Sequence, residues 1–186
     1  LEVATFRSSG EADEVVRDGE MIHRDNVFGT PGEDSHRRDL TINGLFYDVS
    51  NFTVNDYVGG VKDLRDGVVR MIGDPDRSFH EDPVRMLRAI RFSVKLGLTL
   101  DDDLKTAIAR SVDFLNQVPP SRMLDEMLKL FHNGYALDVF RALRSTGLFA
   151  HLFPFTEQCI VDDDKNLAVL ALINTDQRVR EGKPVI

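Results

Sequence analysis

Apolar residues recur three and four positions apart through the second part of the chain. In the first part they come in short β-rich runs. The helical spacing predicts helices near residues 83–96, 102–116, 121–132, 135–146 and 165–173. Gly97, the pair Pro119-Pro120, Gly134, Gly147 and Pro154 punctuate them. Before residue 80, strand-like runs at 46–49, 52–58 and 68–72 are separated by turn residues. Residues 2–6 predict a further strand and 33–45 a helix. Residues 8–32, rich in Gly, Asp and Glu, predict a long loop. The organisation therefore changes near residue 80, from mixed to helical.

The segment Glu81-Asp82-Pro83-Val84-Arg85-Met86-Leu87-Arg88-Ala89-Ile90-Arg91-Phe92 carries the most information. At 100° per residue, Met86, Leu87, Ile90 and Val94 share one side of a helix. Arg88, Arg91 and Lys95 cluster on another, with Arg85 at its edge. Such a helix anchors one face in a core and aims guanidinium groups from the other, and planar guanidinium matches phosphate oxygens and base edges. The same residues also fit a solvated face, with Asp82 as N-cap ahead of a helix-favouring proline. Ser121 is the expected cap of the helix that follows Pro119-Pro120.

Composition narrows the class. Hydrophobic residues make up 42% and charged residues 29%, as in a globular chain of one or two domains. Cys159 is the single cysteine, which excludes an internal disulfide and fits a reducing compartment, here expected to be the cytoplasm. No apolar run approaches the length of a membrane span. The net charge of −8 is unusual for a nucleic-acid binder, yet it is unevenly spread: residues 1–61 carry −7, 62–96 carry +2 and 97–186 carry −3. The basic surplus coincides with the arginine-bearing helix.

Two further islands precede that helix: Arg37-Arg38-Asp39-Leu40-Thr41-Ile42-Asn43-Gly44-Leu45 and Asp56-Tyr57-Val58-Gly59-Gly60-Val61-Lys62-Asp63-Leu64. The three motifs in this order resemble the bacterial poly(A) polymerase and class II CCA-adding tRNA nucleotidyltransferase family, over nearly all of residues 1–155. His23-Arg24-Asp25-Asn26-Val27-Phe28-Gly29, with Glu33-Asp34 before the arginine pair, looks more like the poly(A) polymerase branch. Residues 1–7 match the family's strand near the active site. The family's glycine-rich nucleotide-gripping segment and its Asp-x-Asp strand have no counterpart among these residues, so the chain is expected to be an internal portion of a larger enzyme.

The resemblance implies an α+β fold: the remnant of a nucleotidyltransferase head, with a small mixed sheet and helices, followed by an all-α neck and body. Residues 1–80 would belong to the head, 81–155 to a neck that recognises nucleotide and RNA, and 156–186 to the start of the body. It implies a template-independent enzyme adding AMP from ATP to RNA 3′ ends, with Mg²⁺ held upstream of Leu1. CCA or A addition to tRNA is the alternative within the enzyme class, and a non-catalytic RNA-binding module the alternative outside it. Phosphoryl-type transfer needs alignment and charge neutralisation more than covalent help. By resemblance, Asp39 sits at the active site and positions the nucleotide's ribose, while Arg38 contacts phosphate or ribose. Asp82 and Arg85 read the base edge, Arg88 meets the triphosphate, and Arg91 contacts nucleotide or braces the site through ion pairs. Glu2 is a further candidate carboxylate. Arg37 is expected to be structural, and a surface pairing with Arg37 or Arg38 is the other reading of Asp39.

Other residues carry plainer expectations. The five histidines share no metal-ligand spacing. Gly59-Gly60 is a turn rather than a phosphate loop. Asp101-Asp102-Asp103 and Asp162-Asp163-Asp164 are acidic helix starts or loops. Phe114, Phe131, Phe140, Phe149, Phe153 and Phe155, and the stripe Met123, Met127, Leu130, Phe131, are core.

Overall fold

The computed structural model describes residues 4–8, 28–160 and 166–185. Ten α-helices and four short strands are found among them. The mixed part begins with α1 (Pro31–His36), whose Thr30 and Glu33 bond each other's backbone in a capping box. A 3₁₀ turn follows (Thr41–Asn43), then β1 (Leu45–Asp48) and β2 (Thr53–Asp56), an antiparallel hairpin with Leu45 opposite Asp56. Next come α2 (Gly60–Asp66), β3 (Val68–Val69) and α3 (Pro75–Glu81).

The helical part starts at α4 (Val84–Leu96). It continues through β4 (Thr99–Leu100), α5 (Asp102–Ser111), a 3₁₀ stretch (Val112–Gln117) and α6 (Pro120–Phe131). The last helices are α7 (Ala136–Ser145), α8 (Leu148–Leu152), α9 (Pro154–Cys159) and α10 (Leu167–Arg180). β4 returns from the helical part to pair in parallel with β3, Val68 opposite Thr99. That pairing stitches the two parts together.

α4 is the axis of the core. Met86, Leu87, Ala89 and Ile90 are fully buried, as the apolar stripe requires, and Val94 packs against them. Each such burial of a large side chain stabilises by about 1.5–3 kcal/mol. Leu40, Val69 and Met71 from the mixed part join Phe79, Leu104, Ile108, Leu130, Phe140 and Leu143 in the same hydrophobic cluster. The helix ends at Gly97, which takes φ +65° and donates its N–H to Ser93 and Val94.

Several expectations are corrected. The helix predicted over 33–45 is broken: α1 stops at His36, because Leu40 bridges Met71 and Ile72 donates to the Asp39 carbonyl at 2.9 Å. The chain there is pulled into extended pairing that local propensity does not report. In the strand expected over 2–6, residues 2–3 lie outside the described residues. Residues 4–6 are not strand, and a single bridge joins Arg7 to Phe28. Gly59-Gly60 does form a turn, but it opens α2. Gly60 packs so closely on the Thr41 carbonyl that an added Cβ would lie 2.3 Å from its oxygen. Helix α6 has Pro119 at its cap position and Pro120 in its first turn, rather than a Ser121 cap. Phe155 is 82% exposed, whereas Phe140 and Phe149 are buried and the Met123, Met127 and Leu130 stripe packs inward. Asp162-Asp163-Asp164 lies outside the described residues. No described helix is long and apolar enough to cross a membrane.

Candidate nucleotide-binding site

The first arginine island is built around a carboxylate. Asp34, almost fully buried in α1, accepts from Arg37 and from both Nε and Nη2 of Arg38, the last at 2.9 Å. It also receives the backbone N–H of Arg7 at 3.2 Å. Burial raises its pKa, but these donors outweigh it and hold the carboxyl below its ordinary value. Arg38 further donates to the Asn43 carbonyl at 2.8 Å and lies over the Phe46 ring. Both guanidiniums are thus fixed, with about a third of each side chain left exposed.

Asp39 turns the other way. It pairs with neither Arg37 nor Arg38, as its alternative reading had it, but with Arg88 across 49 residues. Arg88 Nε donates to Oδ2 at 2.5 Å. Oδ1 accepts from the Leu40 N–H and from the Asn43 amide, both at 2.9 Å. Burial pushes this carboxyl up, and the Arg88 hydrogen bond, the Asn43 amide, the Arg88 charge and the Leu40 N–H together bring it below the usual value. Burial pushes the Arg88 guanidinium down, but the Asp39 hydrogen bond and charge, with the charges of Glu126 and Asp82, together hold it above its ordinary value. A carboxylate has about four lone-pair positions, so one on Asp39 stays available to a hydroxyl donor.

Asp82 sits where α3 ends and α4 begins. Its Oδ1 accepts the Val84 N–H at 3.2 Å, so it does cap α4, although Pro83 occupies the cap position. Its Oδ2 accepts from Arg122 of α6 at 2.7 Å. Arg85 donates to the Ser78 hydroxyl at 2.7 Å and to Glu81 at 3.3 Å. The second island supports from below: Asp56 accepts the N–H groups of Val58, Gly59, Gly60 and Val61. A side-chain carboxylate therefore fills the nest that a phosphate loop would offer. Buried Asp63 ties Thr41 (2.8 Å) to Arg70 (3.2 Å).

The first island and the start of α4 converge on one cleft of about 430 Å³. Arg37, Arg38, Asp39, Asn43, Asp82, Val84, Arg85, Arg88, Phe92, Arg122 and Glu126 line it. Five guanidiniums face three carboxylates on its walls, with Asp34 and Glu81 paired behind Arg37, Arg38 and Arg85, so the cleft offers an anion guanidinium donors rather than a large net charge. Of the candidate residues, Arg38, Asp39, Asp82, Arg85 and Arg88 are brought together here. Arg91 lines a second cleft instead and lies over the Phe92 ring, its Nε buried without an acceptor among the described residues. Glu2 lies outside the described residues. Asp34, Arg122 and Glu126 were missed by sequence reasoning. The spacing of Asp34 to Arg37 and Arg38, and of Glu126 to Lys129, is the three-or-four interval of helical ion pairs and could have marked Asp34 and Glu126, whereas Arg122 pairs with Asp82 at a distance of 40 residues in sequence. Among the described residues no cluster of three His, Cys, Asp or Glu could hold a metal ion.

A small mixed head joined to a helical bundle, with an arginine-lined cleft at the junction, is the architecture of a nucleotidyltransferase. The chain belongs to the poly(A) polymerase and CCA-adding enzyme family. Residues 1–70 match the "Poly A polymerase head domain", and residues 97–160 match "Probable RNA and SrmB- binding site of polymerase A". The chain is 43% identical over 195 residues to Poly(A) polymerase I of Escherichia coli O6:H1, covering 100% of this chain and 42% of that one. It is 36% identical over 151 residues to the CCA-adding enzyme of Bacillus subtilis, covering 81% of this chain and 37% of that one. A tRNA nucleotidyltransferase solved with a primer tRNA and an incoming ATP analog shares the fold. Its TM-score is 0.64 at 21% identity, over 85% of this chain and 55% of that one. The chain thus spans less than half the length of the curated relatives it matches.

Proposed function

We propose that this chain is the nucleotide-selecting part of a template-independent nucleotidyltransferase that adds AMP from ATP to RNA 3′ ends. The observation that carries the reading is the Asp39–Arg88 pair, which joins two motifs 49 residues apart into one cleft. A volume of about 430 Å³ falls in the usual range of small-molecule sites, about 300–1,000 Å³. In this reading Arg38 and Arg88 neutralise phosphate charge, and Asp39 orients the ribose with its remaining lone pair. Asp82 and Arg85, held by Arg122 and Ser78, offer an acceptor and a donor to the base edge. Residues 1–80 serve as head, 81–155 as neck and 156–186 as the start of the body. Mg²⁺ accompanies ATP, held by groups other than the described residues, and the reaction is expected in the cytoplasm.

Greater identity, over a longer stretch, to the poly(A) polymerases supports AMP addition over CCA addition. The second reading rests on the similarity to CCA-adding enzymes. A chimera tests both. This chain replaces its counterpart in the Escherichia coli relative, and the product grown on a non-tRNA primer with all four nucleotides is sequenced. The expected product is an A tail, made only by the chimera and not by residues 1–186 alone. A folded chimera that adds nothing would overturn the reading. Addition of C residues would favour the second.

A further inference from the structure

The second cleft, of about 260 Å³, shares Phe92 with the first and is lined by Arg91, Lys95, Lys129, Leu130, Asn133, Tyr135 and Val139. Arg91 and Lys95 lie one turn apart on α4. Lys129 and Asn133 come from the end of α6 and the residues just after it, and the Asn133 side-chain amide donates a hydrogen bond to the Lys129 carbonyl. No carboxylate is among the lining residues, but Lys129 is paired with Glu126 at 2.7 Å, so Arg91 and Lys95 carry the charge offered to a space smaller than a usual small-molecule site. Arg91 lines this cleft, and its Nε is buried without an acceptor among the described residues. Tyr135, 38% exposed, stands at the rim.

We infer that this cleft binds one phosphodiester unit of a single-stranded RNA, with the adjoining base stacked on Tyr135. This is the pairing of cations and aromatic rings by which single strands are held without sequence readout. The inference rests on the reading of RNA as substrate and adds a location to it. It places the strand's path on α4 as well as on the region from 97 to 160, beside the nucleotide cleft and connected to it at Phe92. Arg91 and Lys95 then serve the primer strand rather than the incoming nucleotide.

The test is fluorescence anisotropy of a labelled 12-nucleotide oligo(A) RNA with this chain, from low to moderate salt. Lys95→Glu is expected to weaken binding about tenfold at low salt. It should also reduce the slope of log K against log salt by about 0.7 for each phosphate no longer neutralised. Tyr135→Ala is expected to weaken binding about fivefold or more while leaving the salt slope unchanged, because stacking releases no counterions. Lys95→Arg should bind as the parent does. Urea unfolding of each variant checks the fold. Folded Lys95→Glu and Tyr135→Ala variants that bind as tightly as the parent would overturn the inference and leave the substrate reading standing. A parent chain that binds no RNA even at the lowest salt would overturn both.

Discussion

Asp39→Ala, made in the chimeric enzyme, is expected to lower turnover by about 10²–10⁴-fold, the scale of losing a group that aligns the reactants. Asp39 is the most constrained carboxylate of the cleft, holding Arg88, the Asn43 amide and the Leu40 N–H at once. Its removal frees the Arg88 guanidinium to swing and removes the acceptor proposed for the ribose. The protein should stay folded, since Arg88 is about a third exposed and can rehydrate. Activity per folded molecule is therefore the quantity to measure, beside a thermal melt. Collapse of the melt with normal residual activity per molecule would make Asp39 a structural ion-pair member only. The pH dependence has a definite sign. The folded carboxyl is held below its ordinary value, so its contribution to stability is fully present above about pH 4 and is lost as pH falls through the lower folded value.

Arg88→Ala should have the larger effect on stability. It leaves Asp39, 7% exposed, as a buried carboxylate without its cation. Breaking a buried pair from one side costs about 3–5 kcal/mol, and the partial exposure of Arg88 places this case at or below the low end. Because a phosphate contact is common to every nucleotide, KM should rise roughly alike for ATP, CTP, GTP and UTP. Arg88→Lys should recover part of the stability but not the geometry of the Nε donor. Urea titration and the four KM values check both halves. An unchanged urea midpoint with unchanged KM values would remove Arg88 from the site.

The sequence announced α4 clearly. Its stripe of Met86, Leu87 and Ile90 is buried, and Arg85 and Arg88 emerge into the cleft. That region was legible because one period governs 13 consecutive residues. The break after His36 was not, because it follows from Leu40 pairing with Met71, 31 residues away, which no local window contains. Short helices such as α2, α3, α8 and α9 escaped for lack of enough turns to show a period. Motif resemblance brought Asp39 and Arg88 into one site, but not to each other. Their direct ion pair and the Arg122 hold on Asp82 are tertiary facts, visible only once helices pack, whereas the Asp34 clamp on both arginines lies within one local stretch.

The central claim is that Asp82 and Arg85 choose the base while Arg88 holds what all nucleotides share. Its most direct test is kcat/KM for ATP, CTP, GTP and UTP in Asp82→Ala, Arg85→Ala and Arg88→Ala forms of the chimera. Asp82→Ala and Arg85→Ala should each erode the preference for ATP, by about 1–3 kcal/mol for each polar group left unpaired, or roughly five- to 150-fold. Arg88→Ala should lower all four values and keep their order. An unchanged order in both Asp82→Ala and Arg85→Ala, together with a loss of stability, would contradict the account and leave Asp82 as the cap of α4 and the anchor of Arg122.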